Sequence, residues 1–140
     1  MNQVHRILLL TLPIKWIFKD IMNDQLIHEW MVSHLTGKLS RTYDEVKTNL
    51  EEDRNNEFKG CYPDLILRNH GMVVAIVEVE TNSTITAENA AKWKELSGLG
   101  VKLILMVPKT SKAKVIDLLW KQGIADNASV GSYDIHVSMP

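Results

Sequence analysis

The sequence predicts an α/β domain with a mixed β-sheet flanked by helices. Three observations predict it. YPDLILRNHGMVVAIVEVETN, Tyr62 to Asn82, reads as two apolar strands around a short turn. Downstream, helical and strand patterns alternate: helix, strand, helix, strand. The 140 residues suit a single domain, 1–140, with a real core.

The elements follow in order. Ile7 to Ile14 is apolar but far shorter than the roughly 20 residues of a membrane span. Lys15 and Lys19 interrupt it and no small-residue cleavage signature follows, so it reads as a packed segment of a soluble protein. Pro13 suits a helix start, with Ile14, Ile17, Phe18 and Ile21 on one face. Asn23-Asp24 breaks this helix or caps a second one, which carries Ile27, Trp30, Met31 and His34-Leu35; Gly37 is its expected C-cap. Residues 38–59 carry no clear pattern: a short helix over Thr42 to Glu52 or a hidden strand both fit.

Asp64 to Arg68 and Met72 to Glu80 are expected strands around the tight turn Asn69-His70-Gly71. A helix from Ala87 to about Leu99 follows, ended by Gly98 and Gly100. Lys102 to Val107 is an expected buried strand and Ser111 to Gln122 a helix, with Val115, Leu118, Leu119 and Trp120 as its apolar set and Gly123 closing it. Val130 to Val137 is the expected last, edge strand.

Three carboxylates stand out against this pattern. Side chains alternate across a strand, so Glu78 and Glu80 share a face with Ile76, about 7 Å apart. At that spacing two unit charges repel by roughly 2 kcal/mol at an effective dielectric near 20. The short turn makes the pairing antiparallel and brings Asp64 level with this end of the strand. Convergent acids suit a hard divalent cation such as Mg²⁺, or Mn²⁺ in its place. The plainer alternative is that Glu78 and Glu80 mark where the strand leaves the core and that Asp64 is a turn residue.

Pro63-Asp64, a hairpin, Glu78-Val79-Glu80, a helix and the strand KLILMV together resemble the PD-(D/E)xK nuclease superfamily, over Tyr62 to Pro108, about a third of the chain. The stretch EVETNSTITAENAAKWKEL is also similar to small, mostly uncharacterised prokaryotic proteins of this type. The resemblance implies a restriction-endonuclease-like core and metal-dependent hydrolysis of phosphodiester bonds in DNA or RNA. It implies Asp64, Glu78 and the Val79 carbonyl as Mg²⁺ ligands. Glu80 stands where the pattern has lysine, an E-x-E variant in which the second acid takes the water proton or joins the metal. Alternatively a lysine reaches back from the following helix. Lys92 lies about 40° from Leu96 by the 100° helical step, on the border of the apolar face, and Lys94 lies farther round. Glu29 resembles the acid that such proteins add from their first helix. The alternative is a catalytically degenerate module of the same fold that binds nucleic acid or a protein partner.

The remaining features carry less. A net charge of −1 excludes a bulk polyanion binder, not a nucleic-acid enzyme. The single cysteine, Cys61, cannot form an internal disulfide, so the reducing cytoplasm is the default. His28 and His34 are six apart and do not match the zinc-helix spacing. Asp134 and His136 share a face and read as an edge pair; Lys109, Lys112, Lys114 and Lys121 read as a solvated helix face. The four tryptophans fall in expected helices and read as packing. No separate target-reading domain is visible, so a homodimer or protein partner is expected.

Overall fold

The computed structural model describes residues 23–50, 54–136 and 138–140. The apolar segment 7–14 and the helix expected from Pro13 lie outside these residues, as does Trp16.

Helix α1 covers residues 23–39. The order then runs β1 (Glu45–Thr48), β2 (Leu65–Asn69), β3 (Met72–Val79), α2 (Ala87–Ser97), β4 (Lys102–Pro108), a 3-10 turn (Lys109–Ser111), α3 (Lys112–Gln122) and β5 (Ala128–Tyr133). The strands form one five-stranded mixed sheet in sequence order. β1, β2 and β3 are antiparallel; β3, β4 and β5 are parallel. Antiparallel β2 and β3 are joined by a tight turn, whereas each parallel pair needs a crossover helix, supplied by α2 and α3.

Alternation divides the core between the faces of the sheet. Ile66, Ile76, Leu103, Leu105 and Val107 pack against Ala90, Trp93 and Leu96 of α2 and Val115 and Leu119 of α3. Leu65, Leu67, Ala75, Val77 and Val79 pack against Met31, Val32 and Leu35 of α1. Each helix shows the sheet its i, i+3, i+4 stripe.

The hairpin turns at His70 and Gly71, with φ of 52° and 76°. These two left-handed residues make the turn whose twist matches paired strands, and glycine takes the second position without a Cβ clash. Asp44 Oδ2 accepts from His70 N–H at 2.8 Å, and Asp44 N–H donates to Asn69 Oδ1 at 3.0 Å, tying β1 to the turn. Pairing runs Asn69↔Met72 and Arg68↔Val73, then resumes at Leu67↔Ala75. Val74 is thus an unpaired extra residue, a β-bulge.

Four expectations need correction. The hidden element in 38–59 is strand β1, not a helix. Gly37 does not cap α1, which continues to residue 39. The last strand ends at Tyr133, four residues short of Val137. Trp30 and Trp120 are 54% and 67% exposed, whereas Trp93 is fully buried. Trp120 lies about 120° from the midline between Val115 and Leu119, off the face that α3 buries.

Candidate functional site

The hairpin register sets the site. Leu65 pairs with Val77, so the next residues out, Asp64 and Glu78, lie alongside one another. Both Glu78 and Glu80 are inside the protein, at 2% and 4% exposure. This overturns the plainer expectation that they mark the strand's exit from the core. They sit under α2, which covers their face of the sheet.

The two acids have different surroundings. Glu80 Oε1 accepts from Trp93 Nε1–H at 2.9 Å, and Oε2 accepts from the Thr84 hydroxyl. Its N–H donates to Met106 O at 2.8 Å and its carbonyl accepts from the Tyr133 hydroxyl at 2.6 Å. Glu80 therefore joins β4, α2, β5 and the loop after β3. Burial pushes its carboxyl above the usual range, while the bonds from Thr84 and Trp93 oppose that rise. With both oxygens taken, it has the surroundings of a positioning group, not of a free base.

Glu78 is differently placed. Its Oε2 lies 3.7 Å from Lys92 Nζ, while Oε1 is buried with no hydrogen-bond partner among the described residues. Buried carboxylate oxygens are normally bonded, so such an atom calls for an explanation. Burial pushes Glu78 well above the usual carboxylate range; the adjacent Asp64 carboxyl adds to the rise and Lys92 opposes it.

Asp64 sits at the rim. Its Oδ2 accepts from Val79 N–H at 2.8 Å and meets His28 Nε2 at 3.1 Å. N–H and C=O of a strand residue point to the same side. The Val79 carbonyl therefore leaves β3 on the Asp64 side, away from β4. Lys92, on α2 and half-exposed, reaches the sheet end from the border of its helix's buried stripe.

The structure thus brings together Asp64, Glu78, Glu80, Val79 and Lys92. Glu29 is not among them: it borders neither cleft described below. Two residues were missed by sequence reasoning. His28 comes from α1, 36 residues from Asp64 in the chain, and Arg54 from the loop that was hardest to read. No sequence periodicity links either one to the hairpin.

Two clefts open at the carboxyl ends of the parallel strands, where open α/β sheets commonly bind ligands. The larger, about 440 Å³, is bordered by His28, Asn49, Asp64 and Thr84. The smaller, about 300 Å³, is bordered by Cys61, Glu78 and Glu95. Arg54, Tyr62 and Lys92 border both.

No protein-family model matches this chain, and neither does any curated protein or solved structure. The functional reading therefore rests on this site.

Among the described residues, no three His, Cys, Asp or Glu side chains stand together as a ready metal cage. Mg²⁺ does not require one: it commonly takes one or two carboxylates and completes its shell with water and phosphate oxygens. Asp64, Glu78 and the Val79 carbonyl are hard oxygen donors of that kind, and Glu78 Oε1 is engaged by no hydrogen-bond donor among the described residues. No helix among the described residues is long and apolar enough to cross a membrane.

Proposed function

We propose that the chain is a divalent-metal-dependent phosphodiesterase with a restriction-endonuclease-like core, acting on nucleic acid. The observation that carries this reading is Glu78: a buried carboxylate beside Asp64, with one oxygen near Lys92 and the other unpartnered. Glu80, by contrast, has both oxygens bonded. Asp64, Glu78 and the Val79 carbonyl would hold Mg²⁺ or Mn²⁺. When bound, such an ion polarises a phosphoryl oxygen and acidifies water.

The chain's own residues supply the rest. Lys92 Nζ meets negative charge that develops on the phosphate oxygens. His28 fixes Asp64 by holding Oδ2. Glu80 fixes Trp93, and with it the helix that carries Lys92. In hydrolysis a water oxygen bonds to phosphorus, the bond to the leaving sugar oxygen breaks, and a water proton passes to that oxygen.

Calorimetric titration with Mn²⁺ tests the reading. Wild type is expected to bind, and Glu78→Gln and Asp64→Asn to lose binding. Equal affinity in all three would refute the metal site. Cleavage of an oligonucleotide by Asp64→Asn at the wild-type rate would refute the catalytic role.

One observation favours a second reading. Glu80 occupies the motif lysine position with both oxygens engaged, so that position supplies neither a cation nor a free base. In a binding module without catalysis, nucleic acid or a protein partner would bind equally in EDTA and Mn²⁺, without turnover.

A further inference from the structure

The two clefts share Arg54, Tyr62 and Lys92, so they lie side by side along these residues as the two arms of a trough. Asp64 borders the larger arm and Glu78 the smaller, which puts the carboxylate pair at the junction. Tyr62 stands at the same junction with 42% of its surface exposed. Its backbone is anchored: Pro63 is buried, and the Pro63 carbonyl accepts from Asn49 Nδ2–H at 2.8 Å. The trough therefore presents an exposed aromatic ring on a fixed base, with a guanidinium and an ammonium beside it.

We propose that this trough takes a single strand of nucleic acid, with one base stacked on Tyr62 and the flanking phosphates met by Arg54 and Lys92. The inference rests on the phosphodiesterase reading and adds the form of the substrate. Three arguments favour a single strand over a duplex. A duplex stacks its bases on one another and offers no free face to an aromatic ring, whereas unpaired bases stack readily on tyrosine. Arms of about 440 and 300 Å³ are at the scale of small-molecule pockets, far below that of a double helix. Among the described residues that border the clefts, Arg54 and Lys92 are the only Lys or Arg, too few for the many phosphate contacts of a duplex binder.

The test measures fluorescence anisotropy of a short labelled oligothymidylate and of a hairpin duplex. Ca²⁺ is present as an oxygen-seeking cation of relaxed geometry. Wild type, Tyr62→Ala and Tyr62→Phe are compared, with Mn²⁺ calorimetry in parallel. The expected result is tighter binding of the single strand than of the duplex. Tyr62→Ala should weaken single-strand binding about ten-fold or more. Tyr62→Phe should retain it, and all three proteins should keep the same Mn²⁺ affinity. Duplex binding as tight as single-strand binding, or an unchanged Tyr62→Ala, overturns the inference and leaves the phosphodiesterase reading standing if Mn²⁺ still binds. Binding of neither oligonucleotide also overturns it. Absence of Mn²⁺ binding in wild type removes both.

Discussion

Glu78 and Glu80 are buried acids with opposite fates, one left with an open oxygen and one fully bonded. Both are held above the ordinary value of 4.5. Between that value and the folded value, the folded protein binds more protons than the unfolded chain. Their contribution to stability is therefore fully present below about 4.5 and declines as pH rises through the folded values. Glu78→Gln should remove part of that decline. At neutral pH it should be more stable than wild type by about 1–3 kcal/mol, the scale of a buried unsatisfied polar group. Thermal unfolding of both proteins from pH 4 to pH 8 checks this; a variant less stable at neutral pH would show that ionised Glu78 has a stabilising partner. Mn²⁺ should raise the wild-type Tm and leave the variant unmoved. His28 acts one step removed, through Asp64 Oδ2. His28→Ala should weaken Mn²⁺ binding by about ten-fold, as loss of an outer partner commonly does, and calorimetry reads it. The convergence of Asp64, Glu78 and Glu80 was legible because it follows from strand alternation and one hairpin. His28 and Arg54 were not, because only tertiary packing delivers them.

At the scale of elements, local chemistry and packing made unequal contributions. The hairpin, α2, β4 and α3 were legible because turn residues and caps punctuate them. Thr86 caps α2, its hydroxyl accepting from Asn89 N–H at 3.2 Å. Thr86→Ala should destabilise the domain by about 1 kcal/mol, measured by urea unfolding. It should leave the slope of the transition unchanged. β1 was not legible. Glu45-Val-Lys-Thr48 is only four residues long, half-exposed, and charged at alternate positions, as suits an edge strand. Its pairing depends on side chains elsewhere, notably Asn49, whose amide donates to Asn56 O at 2.7 Å and Pro63 O at 2.8 Å. The helix α1 ran past Gly37 because glycine lowers helix propensity without ending a helix whose other face is packed. Trp30 and Trp120 misled because an aromatic at helical spacing does not by itself say which face is covered.

For the whole molecule, the sheet separates two cores, and the site lies where its carboxyl-terminal end leaves both. One residue keeps the two cores in step. From Asn69↔Met72 a regular hairpin would continue Leu67↔Val74 and would end with Asp64 opposite Val77. Every β2 side chain would then oppose a β3 neighbour meant for the other core. Skipping Val74 restores Leu65 to Val77 and Ile66 to Ile76, and with them Asp64 to Glu78. In the language of reading frames, Val74 is a letter outside the frame. Deleting it should be silent: the strands would pair without a bulge, and Mn²⁺ affinity should stay within about two-fold of wild type. An inserted residue between Ala75 and Val77 has no such slack. It should act as a frameshift, unfolding the domain or abolishing Mn²⁺ binding although no proposed ligand has been changed.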